Sequence, residues 1–437
     1  MKLYNIAKPT EFSTFRKAVL HGTPRGGGLY QPADFSPLKN IDELLALPFV
    51  ERSARILFHL IDPEFSMKEI TPLVREAFNF PVPVRPATPG TFALDLFHGP
   101  TLAFKDFGAR FMAQLLGHIA RDCPTEEKTP ITILTATSGD TGAAVAHAFL
   151  DVPGIQAVVL YPAGRISPLQ EKLFCTLGRN IRTFRVAGDF DACQALVKGA
   201  FNDPHLVQKL GLTSANSINI SRLLAQICYY FEGVSGLRTL LGKPSETPVI
   251  SVPCGNFGNL TAGLMAQRLG LPVKRFVVAT NANDSVPRFL RGEPYQPRSS
   301  IPTLANAMDV GAPNNWARIV AFYQGDESRL RSDLAQGNLD DPGIRKAIKA
   351  LWKQGFLAEP HTAVAWKILE EVRSPQETGL FLATAHPAKF RETVEETLGI
   401  TLDLPPALAA AASRPLLSED LPDSPKELRR KLLEIKK

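Results

Sequence analysis

No stretch of this 437-residue chain approaches the ~18 to 20 consecutive apolar residues that cross a membrane, so a membrane protein is not expected. Cysteine is scarce: Cys123, Cys175, Cys193, Cys228 and Cys254 are five in number and far apart, and they form no C-x-x-C. That pattern argues against a disulfide framework or a thiolate zinc site and for free thiols in a reducing compartment. The eight histidines include no H-E-x-x-H, and no metal is expected. The start, Met1-Lys2-Leu3-Tyr4-Asn5-Ile6, has neither an apolar signal core nor an Arg/Ser-rich transit character. An untargeted, cytoplasmic protein is the expectation.

A broad charge excess is also missing. The formal net charge is +6, yet Ser424 to Lys437 alone holds six basic and two acidic residues of the 49 and 43 in the whole chain. The body is nearly neutral, and the tail reads as a solvated terminal helix. Basic and aromatic residues are not interleaved as a polyanion-binding surface requires, so no nucleic-acid partner is expected. A basic cleft for a phosphorylated small molecule accommodates the charge equally well.

What is present is ordinary globular composition, 44% hydrophobic and 21% charged, in a chain too long for one core. Residues 1 to about 80 read as helical, with Ile41 to Leu47 and Ala54 to Ile61 apolar-periodic and Pro48 between them. The Pro-rich stretch from Phe80 to Gly90 reads as a linker or an edge strand. From Ile131 short β-branched runs alternate with helical ones. Strands are expected near 131–137, 157–161 and 181–186, and helices near 141–150, 167–177 and 189–201. A longer helix from Ser221 to Phe231 follows. A second such region has strands near 249–252, 276–280 and 380–384, with helices near 260–269, 317–335, 343–354, 361–373 and 389–398. Parallel sheets covered by helices follow from this alternation, in an α/β chain. The division expected is a helical unit 1–85, a smaller α/β unit 86–235 carrying a special lysine, a larger α/β unit 236–402, and an extension 403–437.

That lysine is Lys105, in Leu96-Phe97-His98-Gly99-Pro100-Thr101-Leu102-Ala103-Phe104-Lys105-Asp106-Phe107. The run delivers one amine to the start of an amphipathic helix, between Phe104 and Phe107. Desolvation there lowers the lysine pKa and makes the amine a usable nucleophile, as a Schiff base needs. A lysine snorkelling at a helix end is the alternative. Val252-Pro253-Cys254-Gly255-Asn256-Phe257-Gly258-Asn259 joins a buried strand to a helix. It suits an anion cradle of backbone N–H groups, or is a plain glycine-rich turn. It is neither a Walker loop nor G-x-G-x-x-G. Thr135 to Gly142 is a second strand-to-helix turn. It could take a carboxylate or phosphate, or use Ser138 or Asp140 merely as an N-cap. Asn216-Ser217-Ile218-Asn219-Ile220-Ser221-Arg222 puts amides, hydroxyls and one guanidinium before a helix, for a phosphate or for capping. Thr384-Ala385-His386-Pro387-Ala388-Lys389 ends the last strand. There a hydroxyl could face a heterocycle nitrogen, or the segment is an ordinary turn. Cys254 reads as a small packing residue.

At these residues the chain resembles the threonine synthases, pyridoxal-phosphate enzymes of the tryptophan synthase β-like fold group (fold type II). The resemblance runs nearly end to end. It includes His98 to Phe107, Ser138-Gly139-Asp140-Thr141-Gly142, Ile166 to Lys172, Asn216 to Arg222, Gly255 to Asn259 and Thr384 to Phe390. The lysine run together with Gly-Asn-Phe-Gly is specific; Ser-Gly-Asp-Thr-Gly alone is not. The resemblance implies two parallel-sheet α/β domains and a small helical N-terminal one. It implies pyridoxal 5'-phosphate as the cofactor, held by Lys105 as a Schiff base. Gly255, Asn256, Phe257, Gly258 and Asn259 would surround the cofactor phosphate, and Thr384 would meet the pyridine nitrogen. Asp140 would face the cofactor's phenolic oxygen, and Thr137, Ser138 and Thr141 would hold the substrate carboxylate. Asn216, Ser217 and Arg222 would take the phosphate of O-phospho-L-homoserine. The wider fold group often carries Asn where Asp140 stands, and a carboxylate beside a phenolate is repelled unless one of the two is protonated. Related enzymes are monomers or homodimers. The rival activities are a related lyase, such as a threonine dehydratase, or a β-replacement enzyme. From a different class, the rival is a polyanion-binding protein.

Overall fold

The computed structural model describes residues 1–122, 131–137 and 139–435, with the side chain of residue 122 left aside. Three short strands, β1 (Lys2–Asn5), β2 (Lys8–Thr14) and β3 (Tyr30–Pro32), form an antiparallel sheet in the order β2-β1-β3. This corrects the expectation of a purely helical start. Leu3 and Asn5 are buried with more open residues between them, the period-2 pattern of a strand, but the run is too short to outweigh the helical signal that follows. Helices Ile41–Ala46, Phe49–Ile61 and Met67–Ala77 come next, the last opened by a capping box between Ser66 and Glu69.

The Pro-rich stretch becomes β4 (Val84–Thr88), paired antiparallel with β5 (Thr91–Asp95) at the edge of a sheet, where Pro86 costs no ladder bond. The chain then crosses to a second sheet through β6 (Ile131–Ala136), β7 (Ile155–Pro162), β8 (Ile181–Val186) and β9 (Leu212–Thr213). It returns through β10 (Val249–Pro253), β11 (Arg275–Thr280), β12 (Leu334–Asn338) and β13 (Gly379–Ala383), and ends with β14 (Glu419–Leu421). The larger sheet runs β12-β11-β10-β13-β5-β4, parallel except for β4; the smaller runs β14-β8-β7-β6-β9 and is parallel throughout.

Three expectations change here. Residues 84–95 pair with the larger sheet, so the stretch 86–235 is divided between two sheets. The C-terminal segment is no appendage: β14 lengthens the smaller sheet, and helix Pro425–Leu433 buries Leu428 and Leu432 in the core behind it. Only the charged face of that helix is solvated, which charge counting alone does not reveal. The stretch 317–335 is two short helices and β12 rather than one helix.

The 22-residue helix Ile220–Leu241 is the central pillar, with Leu223, Ile227, Tyr230 and Val234 all fully buried. It packs against the lysine helix Lys105–Asp122 and against Gly258–Arg268. Phe107 sits in that junction, 4.9 Å from Phe80 and 5.2 Å from Tyr229 between ring centres. It therefore faces the core rather than flanking the lysine amine. Among the described residues, no helix is long and apolar enough to cross a membrane.

Candidate active site

In a parallel sheet the carboxyl ends of neighbouring strands open onto one crevice. Here β10, β13 and β5 are adjacent, and each delivers one of the chemically marked segments. The cradle follows β10, Thr384 follows β13, and Lys105 follows β5. The last two are zipped together by backbone hydrogen bonds, Phe104 N–H to Thr384 C=O at 2.9 Å and His386 N–H to Leu102 C=O at 3.0 Å. From the smaller sheet, Asp140 follows β6 and Asn216 follows β9, again neighbours. Residues almost 280 positions apart thus meet because their strands pair.

Lys105 is the first residue of its helix. The turn before it is fixed by Asp106, whose carboxylate accepts from Thr101 N–H at 2.9 Å and from Thr101 Oγ1 at 2.7 Å. Gly99 is required beside it, since a Cβ there would overlap that carboxylate. Burial pushes Asp106 up to about 6. The Lys105 side chain is 16% exposed, with Nζ 3.9 Å from Asp140 Oδ2 and 5.7 Å from the Phe104 ring centre. Burial brings its pKa down from 10.5 to about 8, with Asp140 opposing. At neutral pH roughly a tenth of such an amine is unprotonated, far more than of an exposed lysine. Asp140 is buried too; burial raises its pKa, but Lys389 and Lys105 together outweigh that and hold it well below the usual carboxylate range.

The cradle turns on Phe257, which adopts a left-handed φ of 59°. That conformation is uncommon for a bulky residue and is held by ring packing against Trp316. Gly255 lies against the backbone of 307–308: a Cβ would come within 2.8 Å of Ala307 C=O. Among the described residues, the N–H groups of Gly255 to Asn259 make no hydrogen bond, so they remain as donors at a helix N-terminus. Asn259 Oδ1 accepts from Tyr229 and Tyr230 at 2.5 and 2.7 Å, while its buried Nδ2 has no partner among the described residues. Cys254 is buried, its thiol pushed far up by desolvation, and serves packing.

The remaining predicted residues divide into free and committed groups. Thr384 is 6% exposed, and its hydroxyl makes no hydrogen bond among the described residues. Arg222 is buried; Nη1 donates to Ala215 C=O, Nε has no partner among the described residues, and burial lowers its pKa to about 10. Thr141 lies half-buried in the first turn of the helix after β6. Thr137 Oγ1 instead accepts from Gly139 and Gly142 N–H at 2.9 and 2.8 Å, which shapes the loop. Asn216 Oδ1 accepts from Thr135, tying the segment to β6. Asn256 and Ser217 bond to each other. Ser138 lies outside the described residues.

Three residues without a predicted role complete the picture. Lys389 is wholly buried and donates to Asp140 and Thr101. Arg318, also buried, donates to the carbonyls of Tyr30, Ser217 and Ile218 and to Asn315 Oδ1, with no carboxylate among these partners. Asn315 donates to Ser217 Oγ and Asn256 C=O. The available signal was a charged residue inside an apolar run, Ala388-Lys389-Phe390 and Trp316-Ala317-Arg318-Ile319.

This donor set suits pyridoxal phosphate: N–H groups and a buried amide left free at the cradle among the described residues, a free hydroxyl at Thr384, and a depressed lysine on the turn bonded to the Thr384 turn. A family model described as "pyridoxal-phosphate dependent enzyme" matches residues 71–380, and one described as "threonine synthase, C-terminal" matches residues 362–431. The chain is 54% identical to the threonine synthase of Haemophilus influenzae over 433 residues, 99% of this chain and 100% of that one. The crystal structure of the Escherichia coli threonine synthase superposes with a TM-score of 0.93 at 52% identity, covering 100% of both chains. The pyridoxal-phosphate-bound threonine synthase of Brucella melitensis does so with a TM-score of 0.91 at 31% identity, covering 99% of this chain and 98% of that one.

Proposed function

The chain belongs to the pyridoxal-phosphate-dependent enzymes and, within them, to the threonine synthases, and from that premise we propose that it converts O-phospho-L-homoserine and water into L-threonine and phosphate. The observation that carries this reading is the meeting of two anion-suited segments. The cradle after β10 and the Ser217–Arg222 segment join through Asn256 and Ser217, with the depressed lysine beside them. A lyase acting on an unphosphorylated amino acid needs only the first.

Bound pyridoxal phosphate supplies an aldehyde and an electron sink. Gly255 to Asn259 would hold its phosphate by backbone donors and helix dipole. Thr384 would offer a neutral hydroxyl to the ring nitrogen, a weak proton donor that favours elimination and replacement over transamination. Lys105 would first be the amine that holds the cofactor and then the base that takes a proton from substrate Cα and another from Cβ. Thr141 would position the substrate carboxylate, with Thr137 shaping its loop. Arg222 keeps its positive charge at neutral pH, and with Asn216 and Ser217 it would stabilise the phosphate as it leaves Cγ. Lys105 would return one proton to Cγ, which makes Cβ the electrophile that water attacks, and the other to Cα once water has added at Cβ.

Free, buried Cys175, Cys193, Cys228 and Cys254 suit a reducing compartment. We assign the enzyme to the cytoplasm, acting on a free small molecule as a monomer or homodimer.

The experiment is turnover of O-phospho-L-homoserine by the purified holoenzyme, scoring phosphate and threonine together. Equal amounts of both are expected. Arg222→Ala should lose most of this turnover with the visible cofactor absorbance retained. Deamination of threonine to a 2-oxo acid, with no phosphate released from phosphohomoserine, would favour the dehydratase instead.

A further inference from the structure

Asp140 raises a physical problem: a buried carboxylate stands 3.9 Å from the lysine amine that must lose its proton to act. An isolated Asp–Lys pair at that depth would hold the lysine as an ammonium. Lys389 alters the balance. Its side chain is 0% exposed, and its Nζ lies 2.6 Å from Asp140 Oδ1 and 2.8 Å from Thr101 C=O. Gln170 Nε2 adds a donor to the same Oδ1 at 3.4 Å. The two carboxylate oxygens are thus divided: Oδ1 is taken by Lys389 and Gln170, and Oδ2 points toward Lys105.

The position follows from topology. Lys389 belongs to the single turn Pro387–Phe390, just beyond Thr384, where His386 caps the turn by accepting from Ala388 N–H at 3.1 Å. Its ammonium reaches across to Thr101 after β5 and to Asp140 after β6, so it joins segments of both sheets at the reacting lysine. Burying an ammonium is costly unless it is paired and hydrogen-bonded, and Lys389 is both. Nothing in packing alone calls for a charge here, since Ala388 and Phe390 on either side are apolar and buried.

We propose that Lys389 is a positioning residue of the reaction: it holds Asp140 as a matched carboxylate, so that the Lys105 amine is oriented by that carboxylate without being locked as an ammonium. The inference rests on Lys105 being the cofactor lysine. It also accounts for an aspartate where the wider fold group often has asparagine, because the Asp140–Lys389 pair is together nearly neutral toward an anionic ring oxygen.

The charged groups facing Lys105 come from every neighbouring element: Asp140, Lys389, Arg222 and Glu359, with Asp106 next to it on its own helix and His361 acting on Asp140. Of these, Lys389 and Arg222 push Lys105 toward the neutral amine, and Asp140 and Glu359 push the other way. Removing the Lys389 charge takes away one repulsion and leaves Lys105 as the principal cation for Asp140. Both changes raise the pH at which the amine becomes free.

The test uses the full-length holoenzyme, stripped of cofactor with hydroxylamine. The rate of pyridoxal phosphate recapture is followed by visible absorbance between pH 6 and 10. Capture condenses the aldehyde with Lys105 Nζ and releases one water, so its rate follows the free amine. The wild-type rate should rise with a midpoint near pH 8. Lys389→Met should move the midpoint up by about one unit, a roughly 10-fold slower capture at pH 7. Lys389→Arg, which keeps the charge, should stay within about 3-fold of wild type. Asp140→Asn/Lys389→Met leaves no unpaired charge, so it should fold even if the single variant does not, with its midpoint at or below that of wild type. A folded Lys389→Met with an unchanged midpoint overturns the proposal, as does a double variant no more stable than the single one. Failure of the underlying reading is distinguishable: Lys105→Ala would then recapture cofactor like wild type.

Discussion

Asn256 donates its side-chain amide to Ser217 Oγ at 2.8 Å. That contact joins the cradle after β10 to the segment after β9, so the loop suited to the cofactor phosphate and the one suited to the substrate phosphate are a single hydrogen-bonded unit. Asn315 reinforces it with donors to Ser217 Oγ at 3.2 Å and to Asn256 C=O at 2.9 Å. Asn256 Oδ1 meanwhile accepts from Asn314 N–H at 2.6 Å, so its side chain shapes the loop.

Ser217→Ala removes an acceptor shared by two amides. At ~1 kcal/mol per hydrogen bond, the cofactor dissociation constant and the KM for phosphohomoserine should both rise, each by about 5- to 10-fold. Absorbance titration and phosphate release measure the two. A change in KM alone would mean that the loops act independently.

Arg318 anchors this unit from beneath. Burial lowers its pKa to about 9, so it stays charged at pH 7 while bonded only to neutral oxygens. A lysine cannot reproduce its planar fork of donors. Arg318→Lys should therefore cost about 2–4 kcal/mol in denaturant unfolding of the full-length protein, through buried carbonyls left without donors. Weaker cofactor retention should accompany the loss. A variant as stable as wild type would contradict the anchoring role.

Lys105 should cost stability in the cofactor-free protein. Its value is about 8 when folded and 10.5 when unfolded. Between those values the unfolded chain binds more protons, so wild-type stability rises with pH across that window. Lys105→Met removes a buried ammonium, and should be more stable than wild type at pH 7 by up to ~3 kcal/mol. The gain should shrink as pH climbs from 8 to 10.5. Paired melts of the stripped proteins at pH 7 and pH 10 check this, and a gain that grows with pH would contradict it.

What the sequence disclosed was the part of the site written in contiguous residues. The lysine run, the Gly-Asn-Phe-Gly turn and the Thr384 turn each carry their chemistry locally, and the strands before them are apolar enough to read. Lys389, Arg318 and Asn315 acquire their roles mainly through contacts more than 50 residues away, and no local pattern encodes those. The same holds for β14, three residues that become a strand because the edge of β8 is there to receive them. Phe107 misled for the opposite reason: its sequence position beside Lys105 suggested contact, but a helix turns successive residues 100° apart and sends it to the core. Thr137 and Asn216 also make contacts that residue type alone does not reveal: their side-chain oxygens serve the loop and β6.

The most direct measurement is to reduce the holoenzyme with borohydride, digest it and locate the pyridoxyl group by mass spectrometry. A single modified residue, Lys105, is expected, with neighbouring Lys389 unmodified although its ammonium shares Asp140 with that of Lys105. A pyridoxyl group on Lys389, or on any other lysine, would contradict it.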